Sequence, residues 1–265
     1  YKRQNPRRVI FAEGEEERAI RAAIAFRSEG YGTPVLIGRE DRIENMVGQM
    51  GLGSLGGIEI QNARVSLENK RYTEFVYNRL QRKGFLFRDC QRMVNQDRNI
   101  FAACMVAMGD ADAMVTGLTR SFSVCYEAIT QIIDPVPGER VMGLMVAIVR
   151  GRTYFIADTN IHTVPTPEEL ADIATEAAEY ARKMGHEPRV AFLSHSTFGN
   201  PMLENDDRLR EAVRLLDGRD VDFEYDGEMS ATAALNAEQM RELYPFCRLS
   251  GAANVLVMPA LHSAH

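Results

Sequence analysis

The sequence predicts an α/β protein built as two α/β/α subdomains around mostly parallel sheets. Three observations predict it. Short β-branched and aromatic runs alternate with helix-period stretches along nearly the whole chain, the order that places helices on both faces of a parallel sheet. One dense group of breakers, Asp134-Pro135-Val136-Pro137-Gly138, interrupts that alternation, because proline lacks a backbone donor and restricts the residue before it. The predicted subdomains are therefore 1–136 and 137–265. Finally, 265 residues with 45% hydrophobic content are enough for two cores of ordinary size.

The elements follow in order. Residues 9–11 read as a strand, and Ala12-Glu13-Gly14 turns from it into a helix over 15–28 whose Ala19, Ile20, Ala23, Ile24 and Phe26 share helical spacing. Glu15, Glu16 and Glu17 favour the positive end of that helix, and Gly30 and Gly32 mark its exit. A strand at 34–37, a helix over 41–50, a strand at 58–61 and a helix over 72–82 come next. More helix follows, and residues 99–108 are apolar nearly all round, as in a buried helix. That helix feeds a strand at 113–115 and a further helix over 123–133.

Past the breakers, 141–149 is the longest apolar run and reads as a buried strand. It pairs as an antiparallel hairpin with 153–157 through Arg150-Gly151-Arg152. Thr166-Pro167-Glu168-Glu169 starts a helix that runs to Met184, with Thr166 as N-cap, Pro167 in the first helical position and Glu169 closing a capping box. Strands at 189–193, 221–225 and 254–258 alternate with a helix over 206–216 and a mostly helical 230–243.

Charge and cysteine usage narrow the function classes. With 37 acidic against 31 basic side chains the net charge is −6, which leaves no cationic surplus for a nucleic-acid backbone. No apolar run reaches the roughly 18 residues that a membrane span requires. Cys90, Cys104, Cys125 and Cys247 are isolated, with no Cys-x-x-Cys pair and no histidine at ligand spacing, so neither zinc nor a disulfide framework is expected. The expected location is a reducing cytoplasm. A basic cluster from Lys2 to Arg8 follows a chain start at Tyr1 and reads as a linker cut from something longer.

In parallel sheets, ligands bind at the loops leaving the carboxyl ends of strands. Five such loops are polar: 116–121, 158–160, 194–199, 226–228 and 259–262. Hydroxyls, a glycine and an arginine suit an anion, although the same hydroxyls also serve as helix caps. Neither G-x-G-x-x-G nor a P-loop occurs, which disfavours a conventionally bound dinucleotide or nucleoside triphosphate. His195 lies between Ser194 and Ser196, yet neighbours on a strand end point to opposite sides, so no Ser/His catalytic pair is expected. Asp226-Gly227-Glu228 is either an acid pair or, more in keeping with Asp-Gly, a turn. His162, His186, His262 and His265 have no ligand-spaced partner and read as surface or capping residues. No catalytic residue and no metal ligand is assigned.

Taken together, Phe11-Ala12-Glu13-Gly14 with Glu17-Arg18, Gly109-Asp110-Ala111-Asp112-Ala113, Gln131-Ile132-Ile133, Ser194-His195-Ser196-Thr197-Phe198-Gly199, Asp226-Gly227-Glu228 and residues 253–259 resemble the phosphotransacetylase family of phosphate acetyl/butyryltransferases. The likeness spans essentially the whole chain. Asn5-Pro6 followed by residues 9–18, and a histidine inside the Ser-x-Ser-Thr-x-Gly string, are similar to the carboxyl-terminal domain of large bacterial NADP-dependent malic enzymes.

The resemblance implies two α/β/α domains with an interdomain cleft, related to isocitrate and isopropylmalate dehydrogenases, with acyl-CoA in or near the cleft. It also implies a regulatory and oligomerising role: acetyl-CoA as effector, self-association into dimers or higher oligomers, and fusion to an amino-terminal malic enzyme part. NADP and a divalent metal, Mg or Mn, would belong to that other part. Thr119, Arg120, Ser121, Asp158, Thr159, Ser194, Ser196 and Thr197 are the expected effector contacts.

Two departures point away from acetyl transfer. The family's Asp-Leu-Ser-Arg-Gly string would follow the Asn254 to Pro259 strand, and the chain ends before it. Glu127 also stands where active members carry an arginine ahead of Gln-Ile-Ile, and it would repel phosphate. An active phosphate acetyltransferase remains the alternative expectation. An isocitrate-type dehydrogenase would need clustered aspartates and a nucleotide loop, and neither is visible.

Overall fold

Residues 5–201 and 206–264 are described by a computed structural model. Lys2 and Arg3 of the basic cluster, and His265, lie outside the described residues. The chain divides into two compact units, Tyr1–Asp134 and Pro135–His265.

Alternation of side chains along short strands places the first unit's core. Strands β1 (Arg7–Phe11), β2 (Gly32–Ile37), β3 (Glu59–Gln61) and β4 (Ala113–Val115) form a parallel sheet in the order β3-β2-β1-β4. Successive strand residues face opposite sides, so Phe11 and Leu36 pack with α1 (Glu17–Ser28) and α2 (Glu40–Met50). Ile10, Val35 and Ile37 pack instead with α3 (Asn69–Leu80), α4 (Phe87–Gln96), α5 (Arg98–Ala107) and α6 (Phe122–Thr130). Helix α5 is buried from Asn99 to Met105, as its unbroken apolar run predicts, and Asp97 caps it by accepting from the Asn99 and Ile100 amides.

The second unit repeats the layering. Strands β5 (Leu144–Val149), β6 (Arg152–Ala157), β7 (Arg189–Leu193), β8 (Glu224–Met229) and β9 (Val255–Val257) run in the order β5-β6-β9-β7-β8. Only β5 is antiparallel, paired with β6 in the expected hairpin. Phe155, Val190, Phe192 and Val255 meet α7 (Pro167–Lys183) and α8 (Asp207–Asp217) on one face. Ala191, Leu193 and Leu256 meet α9 (Ala231–Leu235) and α10 (Ala237–Leu243) on the other. A final turn of helix, α11 (Leu261–Ala264), follows β9. The capping box of α7 is present: Thr166 Oγ1 accepts from the Glu169 amide at 3.2 Å, and Glu169 Oε2 from the Thr166 amide at 2.9 Å.

Two expectations are corrected. Residues 144–149 form an edge strand rather than a buried one, with Ile148 75% exposed. An apolar run sets a strand's propensity, whereas its place in the sheet is set by crossovers elsewhere in the chain. The strand expected at 221–225 runs instead from Glu224 to Met229, so Asp226-Gly227-Glu228 is strand and not turn. Gly227 lies against Phe192, where a Cβ would fall 2.8 Å from that residue's Cβ and carbonyl oxygen, at a φ of 151°. A glycine demanded by close approach thus looks like a turn glycine when only the neighbouring sequence is visible.

Candidate functional site

In the first unit, the loop after β4 closes around an internal carboxylate. Glu13, in the turn leaving β1, is 1% exposed. It accepts from the Leu118 amide at 2.5 Å, the Thr119 amide at 2.7 Å and the Thr119 hydroxyl at 2.5 Å. Burial alone raises the Glu13 pKa, but these hydrogen bonds and the charge of Arg98 outweigh it and hold the carboxyl below its ordinary value. Thr119 therefore already serves an anion, one that the chain itself supplies. Arg120 is exposed and makes no side-chain bond among the described residues. Ser121 occupies the N-cap position of α6, with its hydroxyl 3.2 Å from that of Ser123.

Beside this loop, β4 and α6 enclose an apolar hollow of about 510 Å³ lined by Val115, Gly117, Phe122, Cys125, Tyr126 and Ile129. A smaller cavity of about 160 Å³, lined by Phe11, Glu13, Arg18 and Leu118, lies between β1 and β4, where the strand order reverses. Such switch points are where open α/β sheets bind ligands.

Two separate polar networks hold the candidate loops of the second unit. Asp158, 3% exposed, accepts from the amides of Gly143 and Asn160 at 2.8 Å and of His162 at 2.7 Å, and its Oδ2 lies 2.6 Å from His162 Nδ1. Burial raises this carboxyl's pKa, and the surrounding N–H groups more than reverse that shift, leaving it lowered. Thr159, buried beside it, donates its amide to the Gly143 carbonyl at 3.0 Å. His162 is thus half-buried against Asp158, with its side chain 14% exposed, rather than a free surface residue. The four-residue spacing from Asp158 was the available signal.

The other network gathers the residues after β7. The Ser194 hydroxyl donates to Asp206 Oδ1 at 2.5 Å. The Ser196 hydroxyl donates to Glu228 Oε1 at 3.0 Å, and the same oxygen accepts from the Gly199 amide at 2.6 Å and from Arg210 at 3.0 Å. Thr197 Oγ1 accepts from the Ser230 amide at 3.0 Å. His195 is exposed while Ser194 and Ser196 turn inward, so the three do not converge. The structure brings Ser194, Ser196 and Thr197 together, and keeps Asp158 and Thr159 in a network of their own.

Glu13, Asp206, Glu228 and Arg210 organise these loops, and sequence reasoning did not single them out for that role. A buried carboxylate leaves no local signature when its partners lie far along the chain. Among the described residues no cluster of three or more His, Cys, Asp or Glu side chains could hold a metal ion, and no helix is long and apolar enough to cross a membrane. Burial pushes the Cys104 thiol up to about 12 and the Cys247 thiol up to about 11, so neither is a ready nucleophile.

Comparison with known proteins agrees with this architecture. The family model for phosphate acetyl/butaryl transferase matches residues 1–265. An NADP-dependent malic enzyme of Rhizobium meliloti is 57% identical over 99% of this chain, which spans 34% of that protein's length. A phosphate acetyltransferase of Clostridium acetobutylicum is 33% identical over 99% of this chain and 81% of its own. A phosphotransacetylase structure from Streptococcus pyogenes superposes with a TM-score of 0.87 at 29% identity, covering 98% of this chain and 79% of that one. Together with the two layered units, these matches show that the chain belongs to the phosphate acetyl/butaryl transferase family.

Proposed function

We propose that the chain is the phosphotransacetylase-like, regulatory and oligomerising part of an NADP-dependent malic enzyme, and that it senses acetyl-CoA without transferring acetyl groups. The observation that carries this reading is the match to the Rhizobium meliloti malic enzyme, 57% identical over 99% of the chain and 34% of the relative. A module of that kind leaves malate oxidation, NADP and the divalent metal to the remainder of the protein. We also read the pairing of two α/β/α units as the isocitrate dehydrogenase kind of architecture, and the four free cysteines as fitting a cytoplasmic protein.

The apolar hollow beside α6 suits an acyl or pantetheine chain, and the segment between its lining residues Gly117 and Phe122 carries Arg120 and Ser121 for a phosphate. Glu127 is exposed on α6, and its charge opposes the anionic acetyl phosphate that transfer would require. In the second unit, Ser194, Ser196, Thr197, Asp158 and Thr159 are the proposed effector contacts, on the loops that follow β7 and β6. Thr119 acts through Glu13. Self-association is supported by β5, an edge strand on which the apolar Met145, Ile148 and Val149 are exposed.

An effector shifts a catalytic partner only by binding one conformation of the assembly more tightly than another. Calorimetric titration of the full-length protein with acetyl-CoA tests the reading. Saturable binding that weakens about tenfold in Arg120→Ala is expected, the loss of one charge-assisted contact. No heat at millimolar ligand defeats the sensing claim. Rapid formation of acetyl-CoA from acetyl phosphate and CoA would establish the transferase reading instead.

A further inference from the structure

We propose that the first unit carries a second anion site, at the carboxyl ends of β2 and β3, that takes a hydroxyl-bearing phosphate ester such as a sugar phosphate or the nucleotide end of a cofactor. A cavity of about 360 Å³ opens there. Gly38 and Arg39 leave β2, Asn62 and Arg64 leave β3, and Arg98 opens α5. Carboxyl ends of parallel strands are the usual ligand position in such sheets.

The lining charge is lopsided. Arg39, Arg42, Arg64 and Arg98 face a single carboxylate, Glu15. Glu15 accepts from the Arg39 amide at 3.0 Å, from Arg39 Nε at 3.1 Å and from Arg42 Nη1 at 3.3 Å, which fixes two guanidinium groups at the rim. Neither Arg64 nor Arg98 makes a side-chain hydrogen bond or salt bridge among the described residues; Arg98 only lends its charge to Glu13. Like charges gathered in a concavity repel one another, and an arriving phosphate relieves that repulsion while accepting guanidinium hydrogen bonds in pairs.

A second observation specifies more than an anion. The side-chain oxygen of Asn95, which lines the same cavity, is buried with no hydrogen-bond partner. Buried acceptors are nearly always satisfied, and a phosphate oxygen cannot donate to this one. A ligand hydroxyl can. Phosphate and hydroxyl on one small molecule therefore match the cavity, whereas a simple inorganic anion leaves Asn95 unpaired. These residues lie on other loops than the acetyl-CoA contacts above, and separate ribose 5-phosphate and acetyl-CoA arms distinguish failure of this site from failure of that reading.

The test is calorimetry of the full-length protein with ribose 5-phosphate in one arm and acetyl-CoA in the other, on wild type and on the Arg64→Gln variant. Because the Arg64 side chain makes no hydrogen bond or salt bridge among the described residues, the variant keeps the wild-type melting temperature within about 2 °C. Wild type binds ribose 5-phosphate saturably, and the variant binds it at least tenfold more weakly. Unchanged acetyl-CoA affinity assigns the cavity to a free sugar phosphate, and an equal loss in both arms assigns it to the nucleotide end of CoA. Undiminished binding by the variant, or no saturable binding of either probe by wild type, overturns the proposal. Phenylglyoxal labelling of the unmutated protein is an independent check: ribose 5-phosphate or acetyl-CoA protects Arg64 and Arg98, and labelling that neither probe slows counts against the site.

Discussion

At Glu13, three hydrogen-bond donors of one loop converge on a carboxylate donated by another. Replacing it with glutamine keeps the size but removes the charge and aims an amide N–H₂ at groups that themselves donate. Glu13→Gln is expected to lower stability by about 1–3 kcal/mol, read as a drop in urea midpoint at unchanged m-value. A midpoint within about 0.3 kcal/mol of wild type would show that the loop holds its shape without this anchor. The same logic governs the Asp158 and Glu228 networks, so the hydroxyls that look like ligand contacts in the sequence already have partners inside the fold. What the sequence displayed was the residue types. Their distant partners emerged only when β1 met β4 and β7 met β8.

Among the elements, α7 was the most legible, because its start signals are local. Thr166, Pro167 and Glu169 act on each other within one helical turn, and the capping box forms as the spacing predicts. Thr166→Ala is expected to cost about 1 kcal/mol, measurable as a lower thermal midpoint, and Thr166→Asn should restore most of it. A Thr166→Ala midpoint equal to wild type would mean that packing of Leu170, Ala174 and Ala177 alone sets the start of the helix. The strands were read less faithfully. The apolar run at β5 predicted burial and is an exposed edge, and the acidic Asp226-Gly227-Glu228 predicted a turn and is central to β8. In both cases the deciding neighbour is remote: strand order for β5, and for β8 the close approach of Phe192 and the donors Ser196, Gly199 and Arg210.

For the molecule as a whole, buried carboxylates with lowered pKa values tie stability to pH. Glu13 and Asp158 titrate below their unfolded values of about 4, so their contribution is fully present above that pH and is lost as pH falls through their folded values. The urea midpoint should be level from about pH 7 to 5 on this account and decline below about 4. Asp158→Asn should be less stable at neutral pH and decline less steeply in acid; an acid limb as steep as that of wild type would remove Asp158 from this account. By itself the sequence determined the α/β alternation, the break near Pro135, the helix caps and the family likeness, because each rests on spacing within a few residues or on strings read in order. Only the tertiary structure decided which strand lies at an edge, which loops close around internal carboxylates, and that four arginines, from the loops after β2 and β3 and from α2 and α5, line one cavity. Those outcomes depend on which distant segments the sheet order brings side by side, and sequence spacing carries no record of that.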